Sequence, residues 1–130
     1  MLTSANELSG YGEITIGGKD LPFGLGKIGG RPLPFKFGAN AYRLYCEYKK
    51  IDLPQMYATF QTDPFALVEL AYFAYVTAMR LKDEPTEVGL DTFVELVGDE
   101  KGVIEKFNEI IKTSRMWGVT VEEAKTKKKS

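Results

Sequence analysis

The residues that most often carry out catalysis or hold metals are scarce in this chain of 130 residues, which has no histidine and a single cysteine, Cys46. Histidine is the commonest general base and the commonest metal ligand. A lone cysteine forms neither an intrachain disulfide nor a thiolate zinc site. Cys46 stands beside apolar positions of a predicted helix, where we expect a small and inert side chain. The sequence therefore favours binding or assembly over catalysis.

Two further segments resemble sites of known chemistry only in composition. The glycine-rich stretch contains GLGKIGG, but it lacks the GxxxxGK[ST] spacing of a phosphate-binding loop and no helix follows directly after Lys27. The acidic residues between 83 and 100 come without histidine and without a DxDxDG loop, so we interpret them as helix caps and solvated faces. The sequence predicts no catalytic residue, no cofactor and no metal site.

The charge balance and the N-terminal residues limit the expected partners. Seventeen basic and eighteen acidic residues give a formal net charge of −1. A nearly neutral chain has no general attraction to nucleic acid or to an anionic membrane, and we expect neither as a partner. The opening MLTSANELSGYGE has neither the basic segment nor the apolar run of a secretion signal.

Patterning along the chain predicts three regions. Residues 1–12 are small and polar and show no periodicity, which is typical of a flexible N-terminal arm. Residues 13–118 carry the apolar patterns of a single helical domain with an N-terminal β-hairpin. Residues 119–130 are predicted to be a disordered lysine-rich tail. The predicted fold class is mainly α (α+β), with a short N-terminal β-hairpin followed by a small bundle of about four to five helices.

The hairpin region contains a near-repeat with an offset of twelve residues. GGKDLPFGLG and GGRPLPFKFG agree at six of ten positions. A Gly-Gly pair between apolar runs signals a two-residue turn, because tight hairpin turns require positive φ. The turn is therefore predicted at Gly17-Gly18 or at Gly29-Gly30, and the repeat leaves the register open. Residues 31–37 form the better return strand, and their prolines confine it to an edge.

Five helices are predicted after Gly38 from capping residues, apolar spacing and stop signals. The first is capped by Asn40 and runs to about Lys50, with Ala41, Leu44, Tyr45 and Tyr48 as its apolar stripe. The others are 55–60 after Asp52 and Pro54, 65–82 after Asp63 and Pro64, 92–97 capped by Asp91, and a last helix from Asp99 to Trp117, ended by Gly118.

The 65–82 helix is the candidate partner site, because it is apolar on two sides. One side carries Leu67, Leu70, three alanines and Leu81, and the other carries aromatic residues. One interpretation is a central helix that its neighbours cover on both sides. The other is that the aromatic side binds a protein partner, since aromatics and methionine are typical of such surfaces. The predicted partner-binding residues are Phe65, Glu69, Tyr72, Phe73, Val76, Met79 and Arg80.

One segment at the start of the first helix carries a family pattern. Residues 34–47 read PFKFGANAYRLYCE; they follow an ITIGG hairpin and precede an apolar helix, a short acid-capped helix and an amphipathic last helix. This order resembles the tail assembly chaperones of long-tailed bacteriophages, which typically have a β-hairpin, then a segment with prolines, alternating apolar residues and G-x-N-A, then helices. The resemblance covers residues 13–117 and is most specific over 34–47. The near-repeat departs from it, since it lengthens the hairpin.

The resemblance implies a non-enzymatic protein of the infected host cytoplasm. Such chaperones bind the phage tape measure protein, help to recruit tail tube protein subunits during virion assembly, and are shed before the virion matures. The expected partners are therefore the tape measure protein and the tail tube protein, with self-association left open. The alternative is a structural virion component of the tail or of the head–tail connector, which shares the small size and the lack of catalytic residues.

Overall fold

The computed structural model describes residues 9–17, 19–20, 23, 27–28, 30–116 and 119–120. Its strands are β1 (Tyr11–Ile16), β2 (Lys19–Asp20), β3 (Lys27–Ile28), β4 (Arg31–Lys36), β5 (Arg115–Met116) and β6 (Val119–Thr120). Its helices are α1 (Ala39–Lys49), α2 (Leu53–Thr62), α3 (Ala66–Leu81), α4 (Leu90–Gly98) and α5 (Val103–Lys112). An antiparallel N-terminal hairpin followed by five helices confirms the predicted α+β class.

The strand register is incompatible with the predicted two-residue turns at Gly17-Gly18 and Gly29-Gly30, of which Gly18 and Gly29 lie outside the described residues. β1 pairs with β4 in antiparallel register, with Ile16 opposite Arg31, and β2 pairs with β3 farther out. Gly17 and Gly30 lie opposite each other between these two ladders, with φ of 89° and 88°. A Cβ on Gly30 would stand only 3.0 Å from the carbonyl oxygen of Gly17. The two glycines therefore form a paired break between the two ladders, because residues without a Cβ tolerate both the positive φ and the close approach.

The core lies between the inner face of the hairpin and the helices. Phe35 of β4 is fully buried and is the hub of an aromatic cluster. Its ring centroid lies 5.2–6.4 Å from those of Phe37, Tyr75, Phe93 and Phe107. Because the last three belong to α3, α4 and α5, this cluster fixes the hairpin against three helices at once.

α3 is the central helix of the bundle and contacts α1, α2, α4, α5 and β4. On its inner side Ala71, Ala74 and Ala78 are fully buried. Their short side chains allow neighbouring backbone to approach closely, as the sequence pattern predicts. Leu81 was assigned to the same side, but it is 46% exposed because α3 ends there.

The predicted start signal is confirmed for α2, which extends two residues beyond the predicted 55–60 at each end, whereas the predicted cap of α3 is wrong by two residues. Asp52 caps α2: its side chain accepts a hydrogen bond from Gln55 N at 2.8 Å, and the Gln55 side chain accepts one from Asp52 N. The N-cap of α3 is Phe65, which has no side-chain cap hydrogen bond, and the Asp63 carboxylate accepts from Phe65 N at 2.9 Å in the turn before the helix. Both signals act over two or three residues, so they do not depend on the rest of the fold.

The predicted caps of α1 and α4 are wrong by two residues. Gly38 is the N-cap of α1 and Gly89 that of α4. Asn40 instead lies in the first turn of α1, where its side chain accepts a hydrogen bond from Arg43 at 3.3 Å. Asp91 lies in the first turn of α4, where a carboxylate favours the helix dipole. A glycine cap costs only a few tenths of a kcal/mol relative to Asn or Asp, so the backbone path decides between them.

The last helix is shorter than predicted at both ends. α5 begins after Gly102 rather than after Asp99, and it ends at Lys112 rather than near Trp117, which lies outside the described residues together with Gly118. Tertiary hydrogen bonds explain the early end. The Thr113 hydroxyl accepts from Gly10 N at 3.2 Å, and the buried Ser114 hydroxyl is hydrogen-bonded to that of Tyr42 at 2.6 Å.

Ordered strand also occurs within the predicted terminal regions. β1 begins at Tyr11, inside the predicted arm 1–12, and Phe37 N donates to Gly10 O at 2.8 Å. β6 lies inside the predicted tail 119–130 and pairs with β5. The predictions for residues 1–8 and 121–130 fall outside the described residues.

Candidate functional site

In the part of the chain that the structure describes, the cysteine and the acidic side chains do not gather into a metal-binding cluster. Among the described residues there is no group of three or more Cys, Asp and Glu side chains that could hold a metal ion. Cys46 is half-buried, its Sγ lies 3.9 Å from Met56 Sδ, and burial raises the pKa of its thiol. A protonated thiol is a weak nucleophile, which agrees with the inert role expected for it. In the described part of the chain, no helix is long and apolar enough to cross a membrane.

Six of the seven predicted partner-binding residues lie along one outward side of α3. We call this side the α3 outer stripe; it comprises Phe65, Glu69, Tyr72, Phe73, Val76 and Arg80, whose spacing follows the helical repeat. Phe65 and Arg80 are exposed and the other four are half-buried. The seventh residue, Met79, is only 7% exposed and turns toward the hairpin, where it lines a cleft with Leu33 and Pro34.

Neighbouring helices flank the α3 outer stripe on two sides and leave it partly open. The Phe73 ring lies 5.4 Å from that of Tyr48 on α1 and 5.5 Å from that of Tyr72. The Tyr72 ring in turn lies 5.6 Å from that of Phe93 on α4. Tyr48 belongs to the predicted apolar stripe of α1, but it is 48% exposed and extends the aromatic surface. The sequence signal for this exposure is the position of Tyr48 at the C-terminal end of the apolar stripe of α1.

Glu69 of the stripe already has a partner within the protein. The Lys49 ammonium on α1 lies 2.8 Å from the Glu69 carboxylate and 3.9 Å from that of Asp63. The hydrogen bond to Glu69 raises the pKa of Lys49, which keeps that amine charged. Because its side chain is only 13% exposed, Glu69 joins α1 to α3 and offers little charge to a partner.

Two buried tyrosines of α1 lie close to this region and differ in hydrogen bonding. Burial raises the pKa of Tyr42 and of Tyr45 to about 12, so both phenols stay neutral. Tyr42 is hydrogen-bonded to Ser114, whereas the fully buried Tyr45 hydroxyl has no hydrogen-bond partner among the described residues. The ring of Tyr45 packs on Phe60 at 5.5 Å. Tyr45 therefore contributes mainly through its apolar ring.

Clefts of opposite charge lie at the two ends of α3. The one at the N-terminal end, about 340 Å³ in volume, is called the valine cleft. It is lined by Phe65, Val68, Val94, Val97, Val103 and Ile104, with Glu100 and Glu105 beside them. The one at the C-terminal end, about 250 Å³ in volume, is called the arginine cleft. It is lined by Asn40, Arg43, Leu44, Thr77, Arg80 and Leu81.

A third cleft, between α2, α3 and α5, is mostly apolar. Its volume is about 220 Å³, below the range of roughly 300–1,000 Å³ that is usual for small-molecule sites. Tyr42, Tyr57 and Leu70 contribute to its walls, and Gln61 and Asn108 are the amide side chains along it. By its size, this cleft resembles a packing defect between helices more than a ligand pocket.

The segment with the family pattern, residues 34–47, lies where the hairpin passes into α1. Phe35, Phe37, Ala41 and Tyr45 within it are fully buried. A Cβ on Gly38 would stand 2.8 Å from Lys36 Nζ. These residues therefore specify the junction between strand and helix, and the α3 outer stripe lies outside this segment.

Comparison of the chain with protein-family models, with curated proteins and with solved structures finds no match. Function is therefore inferred from the α3 outer stripe, the two end clefts and the pattern at residues 34–47.

Proposed function

We propose that this protein is a tail assembly chaperone of the kind found in long-tailed bacteriophages. In this role it binds the tape measure protein in the host cytoplasm, helps to recruit tail tube subunits, and catalyses no reaction. The observation that carries the proposal is the apolar centre of the α3 outer stripe, where Tyr72, Phe73 and Val76 are only half-buried beside Tyr48. The resemblance over residues 34–47 supplies the class of partner.

The shape of the stripe suits a helical partner. From Phe65 to Arg80 it extends over about 22 Å, or four turns of helix. A partner helix with apolar residues at i, i+3, i+4 and i+7 packs along such a surface. Aromatic side chains supply much contact area at the centre of an interface. A tape measure protein with a lengthwise apolar stripe needs cover of this kind until the tail tube forms around it.

The charge on the stripe suits a reversible contact. Glu69 is neutralised by Lys49, so the middle of the surface presents apolar side chains and no unpaired carboxylate. Binding through a small apolar area is weak for one copy and can be released when tube subunits polymerise. Several copies on one long partner gain affinity through avidity, because each additional contact forms within an existing complex.

Co-expression with the tape measure protein of the same phage tests the proposal. The wild type is expected to co-purify with the tape measure protein and to increase its solubility. Val76→Asp and Phe73→Asp are each expected to weaken binding by about 100-fold or more, since an unpaired carboxylate buried in an apolar contact costs about 3 kcal/mol or more. Asn108→Asp, which places the same side chain on an exposed position of α5, is the matched control and should bind normally.

Three results would contradict the proposal. The first is a wild-type protein that neither co-purifies with the tape measure protein nor changes its solubility. The second is a stoichiometric amount of this protein in purified virions by mass spectrometry, which would favour the structural virion component. The third is normal binding by folded Val76→Asp and Phe73→Asp variants, with folding monitored by circular dichroism, which would move the partner site away from α3.

A further inference from the structure

Phe23 is the most exposed large apolar residue in the described part of the chain. It is 96% exposed, against 60% for Phe65 and 48% for Tyr48. In the chain it lies between β2 and β3, which pair with each other and make no extensive contact with any helix that the structure describes. Phe23 also lies outside the core and outside the set of apolar residues that pack against it. Burial within the fold therefore does not explain a phenylalanine at this position.

The backbone at Phe23 is unfavourable for a bulky residue. Its φ is 62°, in the left-handed region, where the Cβ of an L-residue comes too close to the following carbonyl oxygen. Glycine or asparagine adopts this conformation at a lower cost. Residues held in such conformations are concentrated at ligand contacts and active sites. Phe23 thus serves neither the core nor the local backbone, and a contact outside the chain is the remaining role for its ring.

The near-repeat gives Phe23 a counterpart within the same chain. Leu-Pro-Phe occurs at residues 21–23 and again at residues 33–35, so Phe23 matches Phe35. The Phe35 side chain is fully buried and packs against aromatic rings from α3, α4 and α5. The two phenylalanines therefore share a sequence context and differ completely in exposure. The site around Phe35 shows what kind of surroundings such a side chain fits.

We propose that Phe23 is an anchor that inserts into an apolar, aromatic-lined pocket between the helices of a partner protein. A second copy of this chain does not offer the matching site, because Phe35 already fills it and is 0% exposed. The partner is therefore a different, helical protein. The inference rests on the proposed function, in which that helical partner is the tape measure protein.

The anchor adds a contact that is separate from the α3 outer stripe. The stripe lies on α3, whereas Phe23 lies between two strands that have no extensive contact with that helix. A single aromatic side chain that is desolvated in a pocket commonly carries a large share of the binding energy of an interface. Two contacts on one partner also act together, because the second forms within an existing complex. Loss of either contact should therefore weaken binding by itself.

Equilibrium titration of the full chain with the tape measure protein of the same phage tests the anchor. Phe23→Ser is expected to weaken binding by about tenfold or more, as for other buried aromatic anchors. Phe23→Tyr keeps the ring and should bind nearly as the wild type does. Phe23→Gly relieves the positive φ but should bind as weakly as Phe23→Ser, which separates the ring from the backbone. Ile104→Ser removes another exposed apolar side chain, on α5, and is the matched control that should bind normally.

Thermal unfolding of the same variants checks that the ring is outside the fold. Phe23→Ser should melt as the wild type does, because its ring is exposed. Phe35→Ser, at the matching position of the second copy, should unfold the domain, because it leaves a cavity and a polar group in the core. A Phe23→Ser variant that loses its fold would overturn the inference, since the ring would then belong to the core.

Photocross-linking identifies what the Phe23 ring contacts. Benzoylphenylalanine in place of Phe23 is expected to cross-link to the tape measure protein, and in place of Ile104 it is not. Cross-links from position 23 to a second copy of this chain, or no more cross-linking than from position 104, would each contradict the inference. Normal binding by Phe23→Ser would do the same.

Val76→Asp reports on the α3 outer stripe separately. If Val76→Asp weakens binding and Phe23→Ser does not, the anchor fails while the proposed function stands. If Phe23→Ser weakens binding and folded Val76→Asp does not, the anchor stands and the partner site on α3 fails. A wild type that does not bind the tape measure protein overturns both.

Discussion

The two sides of α3 differ in how their side chains are packed. On the inner side the fully buried Ala71, Ala74 and Ala78 lie among larger buried side chains such as Leu70 and Tyr75, whereas Tyr72 and Phe73 are half-buried on the outer stripe. Large apolar residues are usually the buried ones. Here Phe35 is at the centre of an aromatic cluster to which α3 itself contributes Tyr75, while α4 and α5 contribute Phe93 and Phe107. Tyr72 and Phe73 pack against the edge of the core, but part of each ring stays exposed, so the outer side presents apolar area that the fold leaves uncovered.

The largest loss of stability is expected from enlarging a side chain on the inner side of α3. Ala74→Leu should lower the free energy of unfolding by about 1–3 kcal/mol, because the added carbons have no space in a packed interior. The same substitution at the exposed Ala58 of α2 should change it by about 0.5 kcal/mol or less. Urea unfolding measures both.

On the outer side, Val76→Asp should cost less stability than Ala74→Leu in the same urea experiment. If the two variants lose equal stability, the outer stripe belongs to the core and the contrast between the two sides of α3 is lost.

A smaller loss in the free energy of unfolding is expected at alkaline pH, because of the buried tyrosine phenols beside the inner side of α3. Burial raises the pKa of Tyr42 to about 12, above the value near 10 of an unfolded chain. The folded state therefore retains a proton that the unfolded state releases, and stability should fall as pH rises from about 10 to 12. By about pH 11 the loss for Tyr42 is on the order of 1 kcal/mol, and Tyr45 acts in the same direction.

Urea unfolding at mildly and strongly alkaline pH measures this loss. Tyr42→Phe serves as its control, since a phenylalanine cannot ionise and the pH dependence should become shallower. A wild-type profile that is flat to pH 12 would show that these phenols are solvated in solution, in conflict with their burial.

The smallest effect is the difference in stability at neutral pH between substitutions of Tyr42 and of Tyr45. Tyr42→Phe should cost about 1 kcal/mol, because it removes the hydrogen bond to Ser114 and leaves that buried hydroxyl unpaired. Tyr45→Phe should be close to neutral or slightly stabilising, because the Tyr45 hydroxyl has no hydrogen-bond partner among the described residues. Thermal unfolding compares the two variants. An equal loss in both would show that the Tyr45 hydroxyl is hydrogen-bonded in solution.

Local signals account for what was predicted correctly. The capping box of Asp52 and Gln55 depends on atoms three residues apart, so sequence spacing is sufficient to identify it. The errors at the end of α5 and in the hairpin fall where distant residues meet. The end of α5 depends on a hydrogen bond between residues 72 positions apart, that of Tyr42 with Ser114. The hairpin register depends on Gly17 meeting Gly30, and the repeat offered several equivalent pairings.

The same distinction holds for the candidate site. By itself the sequence determined that α3 is apolar on two sides and which residues share each side, because helical periodicity follows from backbone geometry alone. Which side faces outward was decided only by the packing of α1, α4 and the hairpin around α3. That packing exposes Tyr48, buries Met79, pairs Glu69 with Lys49 and places charged clefts at both helix ends. Burial is a property of the whole assembled fold, and spacing along one helix does not contain it.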